Sequence, residues 1–140
     1  MLPLPDCAVD IAQYYEVPIE LVAAVRHAES GMLGQNAGKV GPNSNGTYDL
    51  GAMQINSWWI YGAKPEYRLT NWGITEVDLL TNECTNIAVG TWILHQNLNR
   101  YGDTRAALSA YNTGRPDHTI GLRYADRVMS YLEMNYVAHR

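Results

Sequence analysis

Apolar positions recur at helical spacing in several stretches of this chain, and turn-forming glycine, asparagine or proline residues separate them. From Asp6 to about Tyr15, Cys7, Ile11 and Tyr14 predict a first helix with one apolar side. Val17-Pro18 breaks it, and Pro18 suits the first turn of a second helix. That helix carries Ile19, Val22, Val25 and Glu29 on one stripe and stops at Gly31. The chain is then irregular to Thr47, and Gly41-Pro42-Asn43-Ser44-Asn45-Gly46 reads as turns of a small hairpin. Tyr48 to Trp59 is compact and mostly apolar, followed by a second irregular stretch to about Gly73. Thr75 and Asp78 form a capping-box pattern with Asp in place of Glu. Beyond it, Cys84, Ile87, Ala88, Leu94, Leu98 and Tyr101 mark one long buried helix ending at Gly102. Asp103 caps a short helix through Ala107, Leu108 and Tyr111; Thr113-Gly114-Arg115-Pro116 turns the chain; a last helix carries Leu122, Val128, Tyr131 and Leu132. The expected fold is mainly α, with one irregular or hairpin-bearing lobe between the second and third helices. With no repeat and no low-complexity linker, residues 1–140 are expected to form a single domain.

Composition narrows the class of protein. Hydrophobic residues are 46% and charged residues 17% of the 140, the balance of a globular chain. No apolar run reaches the roughly 20 residues needed to span a bilayer. A net charge of −4 speaks against nucleic acid as a partner. The aromatics are ten Tyr, four Trp and no Phe. Such rings pack with one edge and hydrogen-bond with the other, which suits a wet sugar-binding groove and equally a Tyr-rich core. Cys7 and Cys84 read either as two buried thiols or as one long-range disulfide. The N-terminus has no basic and apolar leader pattern, so the chain is either cytosolic or a mature form without its signal peptide.

Glu29 is the residue whose position asks for a chemical explanation. It occupies the stripe of Val22 and Val25, in the last turn of its helix, where the dipole presents negative potential. Burial and dipole both oppose ionisation, and a carboxyl kept protonated near neutral pH is what a general acid requires. A surface glutamate on a frayed helix end is the plain alternative. His27-Ala28-Glu29 matches half of a zinc-deaminase signature, but no Pro-Cys-x-x-Cys follows. Metalloprotease, nucleotide-binding and serine-hydrolase motifs are absent from the sequence, and His27, His95, His118 and His139 read as ordinary helix or loop residues. No cofactor and no metal are expected.

Three motifs occur in order: Ala28-Glu29-Ser30-Gly31, Gly51-Ala52-Met53-Gln54-Ile55-Asn56 and Ala110-Tyr111-Asn112-Thr113-Gly114. Together they resemble the catalytic domain of family 1 lytic transglycosylases, the soluble-lytic-transglycosylase type of the lysozyme superfamily. The likeness runs from about Cys7 to Tyr131 and is closest to small specialised members that accompany secretion systems, pili and conjugation machines. It implies a lysozyme-like α+β fold, with a helical part and a small lobe flanking a glycan cleft. It also implies Glu29 as catalytic acid/base, Ser30 helping to hold it, and Gln54 and Asn56 on the cleft floor. Tyr111 and Asn112 would face the cleft, and Tyr124 would approach Glu29. Met53 and Ile55 read better as core. Thr47 to Trp59 is also similar to animal C-type lysozymes, which have an aspartate at the position of Asp49 as second catalytic carboxylate. Most family 1 transglycosylases lack it. Asp49 is therefore either a second carboxylate or a turn residue bonding its own backbone.

The resemblance implies cleavage of the β-1,4 bond between N-acetylmuramic acid and N-acetylglucosamine in peptidoglycan, leaving 1,6-anhydro ends. Hydrolysis through Glu29 and Asp49 is the alternative; a non-catalytic glycan-binding scaffold is the alternative of another class. It further implies peptidoglycan strands as partner, a monomer working beside a secretion, pilus or conjugation apparatus, and a periplasmic or other extracytoplasmic location. In that setting Cys7 and Cys84 are expected to form a disulfide.

Overall fold

A computed structural model describes residues 2–31, 35–134 and 136–139, in which helices surround one apolar core and a small sheet forms a separate lobe. Helix α1 (Cys7–Tyr15) buries Ala8 and Ala12. Of the expected stripe, Cys7 is disulfide-bonded and Ile11 packs against the core, but Tyr14 is 80% exposed and Tyr15 packs inward in its place. Helix α2 (Ile19–Ser30) has Pro18 one position earlier than expected, as N-cap, its carbonyl accepting from the Leu21 and Val22 N–H groups. Leu21 to Arg26 are all buried, so α2 is enclosed on most sides rather than along one stripe. It ends at Gly31, whose N–H bonds to the His27 carbonyl.

The lobe that follows is a three-stranded antiparallel sheet in the order β2 (Lys39–Val40), β3 (Asp49–Leu50), β4 (Ile55–Asn56). The expected hairpin turn is closed by Asn43 and Thr47, and a tight turn over Gly51–Gln54 joins β3 to β4. Gly51 has φ +75°, and a Cβ there would collide with the Leu79 carbonyl and the Asn86 amide. Only glycine fits. Helix α3 (Trp58–Tyr61) and two 3-10 turns, Pro65–Tyr67 and Leu69–Trp72, order most of the stretch expected to be irregular.

The capping box at Thr75 and Asp78 is present with both reciprocal bonds. It opens a short helix, α4 (Glu76–Thr81), rather than the long one. Asn82 leaves helical geometry, and its side chain accepts from the Thr85 N–H to start α5 (Glu83–Tyr101). Helix α6 (Thr104–Thr113) is capped by Asp103; α7 (Thr119–Tyr131) is capped by His118, which accepts from the Ile120 N–H. A parallel strand pair, β1 (Leu2–Pro5) with β5 (Tyr136–His139), has no counterpart in the sequence reading. Two prolines in a four-residue strand hide any alternation and confine it to an edge. His139 thus lies on a strand, and its side chain is outside the described residues. Among the described residues, no helix is long and apolar enough to cross a membrane.

Cys7 and Cys84 are disulfide-bonded, 6.0 Å apart at Cα and 77 residues apart in sequence, joining the first turns of α1 and α5. Closing so long a loop stabilises by about 4 kcal/mol in the chain-entropy view. Replacing both cysteines by serine should lower the unfolding free energy by about that amount, read from urea titrations. Thiol titration of the denatured, non-reduced parent should find no free thiol.

Candidate active site

Glu29 sits in the last turn of α2, part-buried, where α7 crosses. The Tyr124 hydroxyl of α7 donates to Glu29 Oε2 at 2.7 Å. Burial pushes the Glu29 pKa up to about 7, helped by the nearby negative charge of Asp49. The Tyr124 bond and the Arg127 charge pull the other way and lose. Tyr124 itself is held well above the ordinary tyrosine range, by burial first and then by Glu29, so it stays a donor.

Asp49, on β3, does not cap its own turn. The Asn56 amide of β4 donates to Oδ1 at 3.1 Å and the Asn43 amide to Oδ2 at 3.3 Å. Both amides also bond the Thr47 hydroxyl, so three polar side chains fix the carboxylate's plane. Glu29 and Asp49 line one small cavity of about 70 Å³, together with Gln54, Trp59, Tyr111 and Asn112. Asp49, Trp59, Tyr111 and Asn112 also line an adjoining cleft of about 440 Å³ between the lobe and helices α5 and α6. Its walls offer side-chain amides, hydroxyls and rings, with Arg100 and Asp49 among them, which suits a polyhydroxylated ligand.

The other expected residues are distributed as follows. Gln54 lies in the cavity in a left-handed conformation, φ +52°, costly for a non-glycine residue. Its amide donates to the carbonyls of Gly38 and Gly51, both at 3.0 Å, and so locks the turn. Ser30 bonds the lobe instead of the Glu29 carboxyl: its hydroxyl donates to the Gly51 carbonyl at 3.4 Å and accepts from the Ala37 N–H at 3.1 Å. Tyr111 lines the cleft with its ring, while its hydroxyl donates to the Met53 carbonyl at 2.7 Å. It is cleft wall and core tie at once. Burial, then Glu29 and Asp49, keep its hydroxyl protonated. Met53 and Ile55 are buried, with Ile55 also reaching the cavity floor.

Two supporting residues escaped the sequence reading. Arg26, 1% exposed, pairs with Glu83 at 2.8 Å and donates to the carbonyls of Gly31 and Gln35, both at 2.8 Å. It holds the segment that ends α2 immediately after Glu29. Asn86, fully buried on α5, accepts from the Met53 N–H and donates to the Leu50 and Leu79 carbonyls. It fixes the turn between Asp49 and Gln54. Arg26 could have been found by the reasoning applied to Glu29, since it too breaks an apolar stripe, following Val22 by one helical turn.

The family model described as the transglycosylase SLT domain matches residues 6–129. The chain is 35% identical over 127 residues to the invasion protein IagB of Salmonella typhimurium, covering 88% of this chain and 72% of that protein. It is 31% identical over 109 residues to protein IpgF of Shigella flexneri, covering 78% and 66%. It is 30% identical over 139 residues to a peptidoglycan-binding-like protein of Escherichia coli O157:H7, covering 96% and 81%.

The raised pKa of Glu29 has a consequence for stability. Between 4.5 and about 7 the folded protein keeps a proton that the unfolded chain releases. Unfolding free energy therefore falls as pH rises through that window, by up to about 3 kcal/mol, and no further above it. Glu29→Gln removes this loss. The variant should match the parent below about pH 4 and exceed it by up to about 3 kcal/mol near pH 8. Denaturant titrations of both proteins at the two pH values check the difference.

Proposed function

Because the chain belongs to the transglycosylase SLT domain family, we propose that it cuts the β-1,4 bond between N-acetylmuramic acid and N-acetylglucosamine in peptidoglycan, as a lytic transglycosylase. The observation that carries this reading is the Glu29 carboxyl, held near a pKa of 7 by burial and bonded to Tyr124, on the floor of an amide- and aromatic-lined cleft. Near neutral pH it can both give and take a proton.

Glu29 donates its proton to the glycosidic oxygen as the bond to the muramic-acid C1 breaks, and positive charge builds on that ring. The carboxylate left behind then accepts the proton of the sugar's own 6-hydroxyl. That oxygen closes on C1, giving a 1,6-anhydro end and restoring the acid. Tyr124 steadies the carboxylate between the two steps. Asp49, its oxygens aligned by Asn43 and Asn56, stabilises the ring charge. Asp49 also favours a second reading, hydrolysis by two carboxylates, in which water takes the place of the 6-hydroxyl. An extracytoplasmic location, where the substrate lies, agrees with the disulfide. Similarity to a protein named for invasion supports local wall opening for a secretion, pilus or conjugation apparatus.

Incubation with purified peptidoglycan tests the reading. The parent should release muropeptides whose anhydro ends are lighter by one water than hydrolysis products, as resolved by mass spectrometry. Reducing ends alone would establish the hydrolytic reading. Turnover should fall as pH rises through about 7, when the acid is lost. Glu29→Gln should lower release by at least 10²- to 10⁴-fold, roughly the worth of a general acid, and near-parental activity would refute the assignment.

Asp49→Asn should lower turnover on the order of a hundredfold, with binding of a non-cleavable glycan nearly unchanged, since the charge is needed mainly in the transition state. If turnover holds within a few-fold, Asp49 has no catalytic part.

A further inference from the structure

Trp92 and Ile93 are neighbours on α5, and helical geometry sends their side chains about 100° apart. Ile93 lines the cleft beside Glu29. Trp92 instead lines a second, larger groove of about 570 Å³, walled by Tyr14 and Tyr15 of α1, Trp72 of the 3-10 turn, and Thr85 and Val89 of α5. Tyr14 is 80% and Trp72 59% exposed. Rings of this size would stabilise the fold if buried, and an exposed apolar patch of rings marks a binding surface. None of the described residues lining the groove is charged. A phosphate, an acidic or basic peptide and a nucleic acid would find no counter-charge there.

A chain of indoles in edge-to-face contact links the groove to the cleft. Trp58 meets Trp59 at 5.0 Å between ring centroids, Trp59 meets Trp92 at 5.4 Å, and Trp92 meets Trp72 at 5.8 Å. Trp58 and Trp59 belong to the cleft wall, Trp92 and Trp72 to the groove. One aromatic path thus joins the two surfaces. A pyranose ring has an apolar face of axial C–H bonds and a rim of hydroxyl and acetamido groups. It stacks on indole or phenol and leaves its polar rim to water, and it carries no charge that must be matched. A pocket of this volume, apolar with a few hydroxyls at its edge, is of ordinary size for a small ligand.

We propose that this groove is a second glycan site, holding N-acetylhexosamine units of peptidoglycan outside the cleft while Glu29 acts within it. The proposal rests on the glycan-cleaving reading above. It makes the groove an anchor on insoluble wall and leaves it idle on a short soluble fragment that fills only the cleft.

Tyr14→Ala and Trp72→Ala test it, separately, because Tyr14 lies outside the indole path. Sedimentation with protein-free, insoluble peptidoglycan, in a Glu29→Gln background that cannot consume it, should show retention reduced several-fold by either change. In the Glu29 background, cleavage of a short soluble fragment should stay within twofold while release from insoluble wall falls. Undiminished retention of both variants overturns the groove and leaves the catalytic reading intact. Equal loss on the short fragment also overturns it, because the rings would then be supporting the cleft. A loss seen only on wall carrying its proteins, or a dimer that Tyr14→Ala dissociates, would seat a protein or a second copy in the groove instead. A parent that neither binds nor cuts the wall refutes both readings together.

Discussion

The site depends on keeping one carboxyl largely out of water at the end of a helix that must stop there. The last turn of a helix leaves carbonyls without helical partners, and a buried end needs donors for them. In α2 the Gly31 N–H bonds the His27 carbonyl, and Arg26 reaches past Glu29 to the carbonyl of the C-cap Gly31 and that of Gln35 in the loop beyond. Its own charge is matched by Glu83 at the start of α5. Arg26 is buried and Glu83 half-buried, so removing Glu83 would leave the guanidinium without its carboxylate in a largely desolvated place. Helix α2 can therefore end beside the cavity, where burial holds the Glu29 carboxyl near a pKa of 7.

The opposite wall meets a different difficulty. Strands of two residues cannot make a stable sheet unaided, so the lobe is held by side chains bonded to backbone. Asn86 ties its turn to α5, Gln54 ties the same turn to Gly38, and Ser30 ties it to the end of α2. At the outer edge Lys39 pairs with Glu76 at 3.1 Å, and the Tyr61 hydroxyl donates to the same carboxylate at 2.6 Å. The disulfide fastens α1 to α5 at Cys84, the residue after Glu83. Both carboxylates of the cavity are thus referred to α5, one through Arg26 and Glu83, the other through Asn86.

Much of this was legible locally. The stops at Gly31 and Gly102, the capping box at Thr75 and the cap at Asp103 are decided within a few residues, and each stands where its pattern put it. Readings failed where a distant neighbour overrode the local signal. Tyr14 fits an apolar stripe, yet it is exposed while its neighbour Tyr15 packs against the core. Asn82 looks unremarkable until its side chain opens a new helix. The strand Leu2–Pro5 exists only because residues 136–139 come back to pair with it.

The sequence by itself determined the helical class, the odd placement of Glu29 in an apolar stripe, and the order of motifs that brings glutamate, amides and tyrosine into one family pattern. Periodicity, capping and motif order are properties of neighbouring residues, so a linear reading reaches them. The family pattern pointed to Tyr124, 95 residues away, as approaching Glu29, and the tertiary structure decided that its hydroxyl donates to Oε2. It also decided that Asn43 and Asn56 hold Asp49 within the same cavity, and that Arg26 turns inward to close the helix end. A hydrogen bond of about 3 Å is made or lost by small shifts of whole elements. Where those elements come to rest is set by packing over the entire core, which no short stretch of sequence contains.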